Sequence, residues 1–259
     1  MNVRRSVRIV GPGRAGGAMA RALADIGWQV LEPVDRSVDP TEVGLDVDLV
    51  LIATPDAAIA EVARAIEPSS TTVVAHLSGA SGPAVLAPHP HRAAIHPLTS
   101  MPTADIGALR LRRSCWFALD AETPESMDCL ESIVRDLGGR SFRVDESRRA
   151  NYHAAAAIAS NHVVALLGSA ERVAADAGVP IEAYLELVRA TIDNIEDLGV
   201  ADALTGPVAR GDWDTVARHR AAIDPSELEL YDALVEATRR VVDSSTQRES
   251  SLPSRPTDS

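Results

Sequence analysis

The residues with the clearest chemical meaning stand near the start of the chain. Gly11-Pro12-Gly13-Arg14-Ala15-Gly16 follows a short apolar run and leads into a helical pattern. This is the G-x-G-x-x-G spacing in the strand–turn–helix setting that a dinucleotide needs. Gly11 permits the tight turn, and Gly13 lets the backbone come close to a pyrophosphate. Gly16 allows the helix to pack tightly on the strand, and the helix start at Arg14 and Ala15 faces the anion. The spacing alone is generic. Its place after an N-terminal strand, with a second strand at the right distance, gives it weight.

The end of that second strand chooses between NAD and NADP. An NAD site wants a carboxylate there for the ribose 2′-hydroxyl. The segment reads Val34-Asp35-Arg36-Ser37. Arg36 and Ser37 can clasp a 2′-phosphate, whereas Asp35 would repel one that it faced. NADP is the expectation. Farther on, Thr54 and Pro55 follow another strand and are expected along the cofactor path, with Asp56 capping the next helix.

Three groups could meet a substrate beside the nicotinamide. His76-Leu77-Ser78-Gly79 and His96-Pro97 each end an apolar run, at the sheet edge where ligands bind. A histidine there can give a proton to a developing alkoxide, and Ser78 can bond a substrate oxygen. The third group is Tyr152-His153 and Ser160-Asn161-His162. On a straight α-helix, at about 100° per residue, His153, Ser160 and Asn161 share one face, with Tyr152 nearly opposite Asn161. Beyond them lie Thr205-Gly206-Pro207 and Arg210-Gly211-Asp212. Arg210 could hold a carboxylate, with Asp212 capping the next helix and orienting it. His89, His91 and His96 lack the Cys or carboxylate partners of a metal site, so no metal is expected, and His89 and His91 read as an exposed loop. No nucleophile elbow supports hydrolysis.

These groups need elements to hold them. Apolar runs at 7–10, 29–34, 49–53, 72–76, 93–96, 115–119 and 141–144 predict strands. Helical patterns at 17–26, 57–66 and 124–137 alternate with them, which implies a doubly wound parallel sheet. After residue 146 strand signals vanish. One Ala-rich helix over 147–177 is followed by helices at 180–198, 212–223 and 226–243. The expectation is an NADP-binding α/β domain over 1–146, an all-α domain over 147–243 for substrate and dimerisation, and a disordered polar tail over 244–259.

Composition bounds the function further. The chain has 259 residues and a net charge of −12 at pH 7, which argues against broad nucleic-acid binding. Every basic residue is arginine; lysine is absent, which excludes Schiff-base chemistry and any lysine proton donor. Two cysteines and no long apolar span suggest a cytoplasmic protein without membrane contact.

GPGRAGGAMA, ATPDAAI, HLSGA, IHPLTS, YHAAAAIASN and ALTGPVARGD together resemble bacterial proteins with a Rossmann-like domain and a helical C-terminal domain of unknown function. That group is similar, more distantly, to pyrroline-5-carboxylate reductase and to the β-hydroxyacid dehydrogenases, including 6-phosphogluconate dehydrogenase. Part of it resembles an alternative ketopantoate reductase of pantothenate synthesis. The resemblance implies NADPH-dependent reduction of 2-oxopantoate, with C-terminal helices that form the substrate cleft and a homodimer. The familiar members carry a lysine and an asparagine on the interdomain helix, the lysine donating the proton. This chain has Asn161 but no lysine, so His153, with His96 as second choice, is the expected donor. An imine reductase, a prephenate-type dehydrogenase and a non-catalytic NADP-binding regulator are the alternatives.

Overall fold

The computed structural model describes the backbone of residues 5–251 and the side chains of residues 5–244. The chain divides into two compact units, Met1–Ser160 and Asn161–Ser259.

Seven strands of the first unit form one sheet: β1 (Ser6–Val10), β2 (Gln29–Val30), β3 (Leu49–Ile52), β4 (Val73–His76), β5 (Arg92–Pro97), β6 (Trp116–Ala121) and β7 (Arg140–Arg143). Their order is β2-β1-β3-β4-β5-β6-β7. All pairs are parallel except β5 and β6. The sheet is thus parallel-dominant rather than wholly parallel. The fully buried run Leu49-Val50-Leu51-Ile52 shows why the central strands read as continuously apolar. Leu49 and Leu51 enter one core cluster, and Val50 and Ile52 the opposite one, so both faces are covered.

Helices α1 (Arg14–Asp25), α3 (Ala104–Leu111) and α4 (Pro124–Asp136) supply the first cluster through residues such as Met19, Leu23, Leu111 and Leu130. The second cluster takes Ile59 and Ala63 from α2 (Asp56–Ala65). Thr103 and Thr123 cap α3 and α4 by accepting from the backbone N–H groups of Ile106 and Ser126.

Three local expectations change. The second strand is shorter than 29–34: Pro33 lacks an N–H to donate, and pairing resumes only at Val34, which bridges to Val10. Helix α3 has few hydrophobic repeats and escapes the sequence pattern. Asp56 does not cap α2; Pro55 holds that position and Asp56 is the first helical residue.

The Ala-rich stretch begins as α5 (Arg149–Ala157), passes through a π-helical turn (Ile158–His162) and continues as α6 (Val163–Asp176). The unit division falls inside the π turn, so the first turns of the long helix belong with the sheet. Arg149, Tyr152 and His153 explain why: each contacts the sheet unit. The second unit holds α6, α7 (Ile181–Leu198), α8 (Trp213–Ala222) and α9 (Leu228–Ser251). Helix α9 extends past 243, and residues 252–259 of the expected tail lie outside the described residues. No helix among the described residues is long and apolar enough to cross a membrane.

Helix α1 packs on the sheet with no room for a side chain at Gly16. A Cβ there would collide with the Gly11 carbonyl oxygen and stand 3.0 Å from the Ala53 Cβ. Gly16→Ala must push α1 away from β1. We expect a loss of about 1–3 kcal/mol, read as a lower urea midpoint; an unchanged midpoint would show that the helix shifts freely.

Candidate functional site

The glycine turn has the shape its spacing predicts. Gly11 adopts φ +92°, open to glycine at little cost, and a Cβ there would press on Ala53 and Thr54. The Gly11 N–H donates to the Val34 carbonyl at 2.8 Å, which ties the turn to the end of the second strand region. Gly13 caps α1 with no side-chain bond, and a Cβ placed on it meets nothing within 4 Å. That open space belongs to a cavity of about 700 Å³ lined by Gly11, Gly13, Val34, Asp35, Arg36, Thr54 and Pro55, among others. The first-turn N–H groups of Arg14, Ala15 and Gly16 have no carbonyl of their own helix to meet. That turn carries no acidic residue, so the positive end of the helix is not offset. The buried Thr54 hydroxyl has no hydrogen-bond partner. A phosphate cradle with an orphan hydroxyl beside it fits a dinucleotide.

At the far end of this cavity Asp35 and Ser37 are bonded to each other. The Ser37 hydroxyl and N–H donate to Asp35 at 2.6 and 2.8 Å. These two bonds hold the Asp35 carboxyl below its ordinary range. Ser37 therefore spends its hydroxyl proton within the turn, and Arg36 and the Ser37-bonded Asp35 both line the cavity.

The second cluster lies at the ends of β4 and β5. His96, Ala118 and Phe142 occupy one row across β5, β6 and β7. Tyr152 on α5 lies over that row, its ring 5.7 Å from Phe142 and 5.6 Å from His96, and its Oη is 2.5 Å from His96 Nδ1. The exposed His153 ring stands 6.2 Å from His96. Gly79 fits between the two rings; a Cβ on it would lie 2.9 Å from His96 Nε2 and from His153 Cδ2. Burial, aided by the charge of His153, pushes His96 down to about 4. Burial pushes Tyr152 up to about 12. Both are neutral at working pH.

Arg149 anchors this arrangement. It is buried, donating to Asp120 on β6 at 2.5 Å and to Glu146 at 2.9 Å. Arg149 is not among the residues expected from the sequence, and Tyr152, though named in the third group, is given no role there.

Other expected residues fall differently. His76 is fully buried: its Nδ1 accepts from the Ser78 N–H, and its Nε2 is 3.1 Å from the Gly82 carbonyl. With both nitrogens on backbone it holds the loop rather than a substrate. Ser78 Oγ accepts from the N–H groups of Ala80 and Ser81, which leaves its own proton free to donate. His89 is buried, with Nε2 on the Ala63 carbonyl, and is not on an exposed loop. His91 bonds the Ser70 carbonyl. The π turn at Ile158–His162 also breaks the wheel used to align His153, Ser160 and Asn161, because it takes more residues per turn than an α-helix. Ser160 closes the first unit; Asn161, Thr205 and Arg210 are in the second. There Asp212 caps α8 through the Thr215 N–H at 3.0 Å; bonds from the Thr215 hydroxyl and N–H hold its carboxyl low, with smaller help from Arg218 and Arg210.

Residues 115–238 match the model of a domain of unknown function (DUF2520), and residues 31–102 match that of a Rossmann-like domain. No curated protein matches the chain. Among solved structures, a Bacteroides fragilis protein provisionally described as an NADP oxidoreductase superposes with TM-score 0.77 at 20% identity, over 92% of this chain and 98% of its own. A Thermotoga maritima protein gives 0.70 at 25%, over 93% and 99%. Plasmodium falciparum pyrroline carboxylate reductase, with NADP bound, gives 0.62 at 13%, over 93% and 99%. These likenesses establish the fold.

Burial lowers His76, His89 and His96 alike. Their unfolded forms take up protons first as pH falls, so stability present above about pH 6.5 is lost below it, the His96 share between about pH 6.5 and about 4. A urea midpoint that declines over this window is expected, with His96→Gln giving a shallower decline. Equal slopes in the two proteins would rule out His96 as a contributor.

Proposed function

We propose that this chain, a Rossmann-like domain joined to a DUF2520 domain, is an NADP-dependent oxidoreductase that reduces a small carboxylated carbonyl compound. The observation that carries the reading is the phosphate cradle: Gly13 opens on a cavity of about 700 Å³ beneath the acid-free first turn of α1. The fold likeness to proteins described as an NADP oxidoreductase and as an NADP-bound reductase supports the same cofactor. Arg14, Ala15 and Gly16 offer N–H groups to the pyrophosphate. Arg36 takes the 2′-phosphate, while Ser37 keeps Asp35 engaged.

NADPH, when bound, would supply a hydride to the carbonyl carbon. The protein must then polarise the carbonyl oxygen and deliver a proton to it. His153 is the proposed donor, with His96 beside it as the second candidate, and Ser78 has a free hydroxyl proton to offer the oxygen. On residue chemistry alone, the proposal gives Asn161 the orientation of that oxygen, and Ser160 and Thr205 further polar contacts. It gives Arg210 the substrate carboxylate.

The best substrate is 2-oxopantoate, with the protein acting in the cytoplasm in pantothenate synthesis. A cyclic imine carboxylate is the second class, favoured by the likeness to pyrroline carboxylate reductase. We further propose a homodimer through the C-terminal helices. None of the α7 residues is buried, and Leu187, Ile192 and Leu198 on it are exposed. Light scattering should return twice the chain mass, and a monomer would remove this part of the proposal.

Purified protein should consume NADPH with 2-oxopantoate, seen as loss of the nicotinamide absorbance. No turnover with 2-oxo acids or imines would reject the enzymatic reading. His153→Ala should abolish turnover while NADPH still binds; retained activity would move the proton donor to His96. Arg36→Ala should weaken NADPH by about tenfold and leave NADH unchanged; equal affinities in variant and parent would remove Arg36 from the 2′-phosphate.

A further inference from the structure

The contact between Tyr152 and His96 joins two elements far apart in sequence, and the phosphate cradle does not require it. Tyr152 Oη and His96 Nδ1 are 2.5 Å apart, a short and therefore strong hydrogen bond. A phenol donates far more readily than it accepts, and imidazole nitrogen is a good acceptor. With Tyr152 donating its O–H hydrogen bond to Nδ1, the ring proton of a neutral His96 sits on Nε2. That nitrogen is on the edge facing Gly79, where the absence of a side chain leaves room for the ring.

We propose that Tyr152 is a positioning residue that fixes His96 as the Nε2–H tautomer, so that an uncharged imidazole offers a hydrogen bond to the substrate's carbonyl oxygen. The inference rests on the oxidoreductase reading for its consequence, but not for its geometry. Three features of the structure support it. The Tyr152 ring is wedged against Phe142 and His96 by edge-on contacts, so the hydroxyl cannot swing away without breaking both. Arg149, one turn earlier on α5, is locked to Asp120 and Glu146, which sets the height of Tyr152 over the sheet. The charged and titratable groups around His96 are His153 and Arg149 from α5, His76 from β4 and Asp56 from α2; burial above all keeps the ring unprotonated, and Asp56 does not offset it. Around Tyr152 they are Arg149 and Cys115, and burial keeps the phenol protonated.

A neutral histidine in this state polarises a carbonyl without first taking up a proton, and does so across the whole range between the two shifted values. It answers a constraint of the sequence, which contains no lysine to serve as a cationic donor.

The test combines a spectroscopic readout with kinetics. In the full-length protein labelled with ¹⁵N-histidine, His96 is assigned by comparison with His96→Gln. Its Nδ1 should resonate as an unprotonated, hydrogen-bonded nitrogen and its Nε2 as a protonated one at neutral pH. In Tyr152→Phe, which keeps the ring that packs on Phe142, the two nitrogens should move toward an averaged tautomer. The same variant should bind NADPH as the parent does and lose kcat about tenfold or more, with little change in KM. A proton on Nδ1 in the parent would overturn the proposal, as would full kcat in Tyr152→Phe. Failure of the parent to bind NADPH would instead overturn the oxidoreductase reading. Because the tautomer is measured without cofactor or substrate, the two failures are distinguishable.

Discussion

The buried guanidinium of Arg149 is the interaction on which the first unit's chemistry depends. Removing an arginine from water is costly, and the cost is recovered only when its donors meet carboxylates in good geometry. Asp120 on β6 and Glu146 just before α5 provide that. The ion pair therefore does more than add stability. It specifies where the long helix begins, and one turn later that start brings Tyr152 onto Phe142 and His96. A helix held only by apolar contact could slide along the sheet; one held by a buried fork of charge has a single register. The hydroxyl-to-imidazole bond inherits its precision from this anchor.

The cofactor end is governed by a different kind of constraint, one of exclusion. Gly11 and Gly16 are places where the backbone of β1 and α1 leaves no room for a side chain, and Gly13 is a place where room must remain. The three glycines thus do three separate jobs. Close packing at Gly16 aims the start of α1 at the turn, the positive φ of Gly11 lifts the chain over β3, and the open position at Gly13 admits an anion. The sheet makes this possible because both faces are covered, so the loops at its carboxyl edge are the parts left free for ligands.

The cradle was legible in the sequence because its rules are local: a strand, three glycines at fixed spacing, a helix. The central strands were legible for a similar reason, since full burial on both faces leaves an unbroken apolar run such as Leu49-Val50-Leu51-Ile52. What escaped was set by tertiary contact. The reversal at β6 leaves no mark on periodicity, because an antiparallel partner wants the same alternation. His76 and His89 looked reactive or exposed, yet His76 spends both nitrogens on a backbone carbonyl and an N–H, and His89 its Nε2 on the Ala63 carbonyl, partners that only the fold brings near. The wheel that aligned His153 with Asn161 assumed a uniform helix, and the π turn at Ile158–His162 is not uniform. Tyr152, though named in the third group, was given no role because that same wheel placed it opposite Asn161; its partner is the sheet, not the helix.

The absence of lysine and the net charge of −12 turn out to bear on one problem at two scales. Over the whole molecule the field repels an anionic cofactor, so attraction must be short-ranged, from arginine at the 2′-phosphate end and from the unsatisfied N–H groups at the start of α1. At the reacting end the logic reverses. A cation beside the carbonyl would polarise it, but without lysine the buried candidates are histidines whose burial favours the uncharged form. Charge near His96 is instead placed one layer back, on Arg149 with its two carboxylates, where it sets geometry, while burial keeps the imidazole neutral. On the proposed reading, the group that faces the reaction is a fixed dipole, a donor with its tautomer chosen by Tyr152. Such a dipole needs no proton from solvent to be ready, and it does not lose its function when pH drifts within the neutral range.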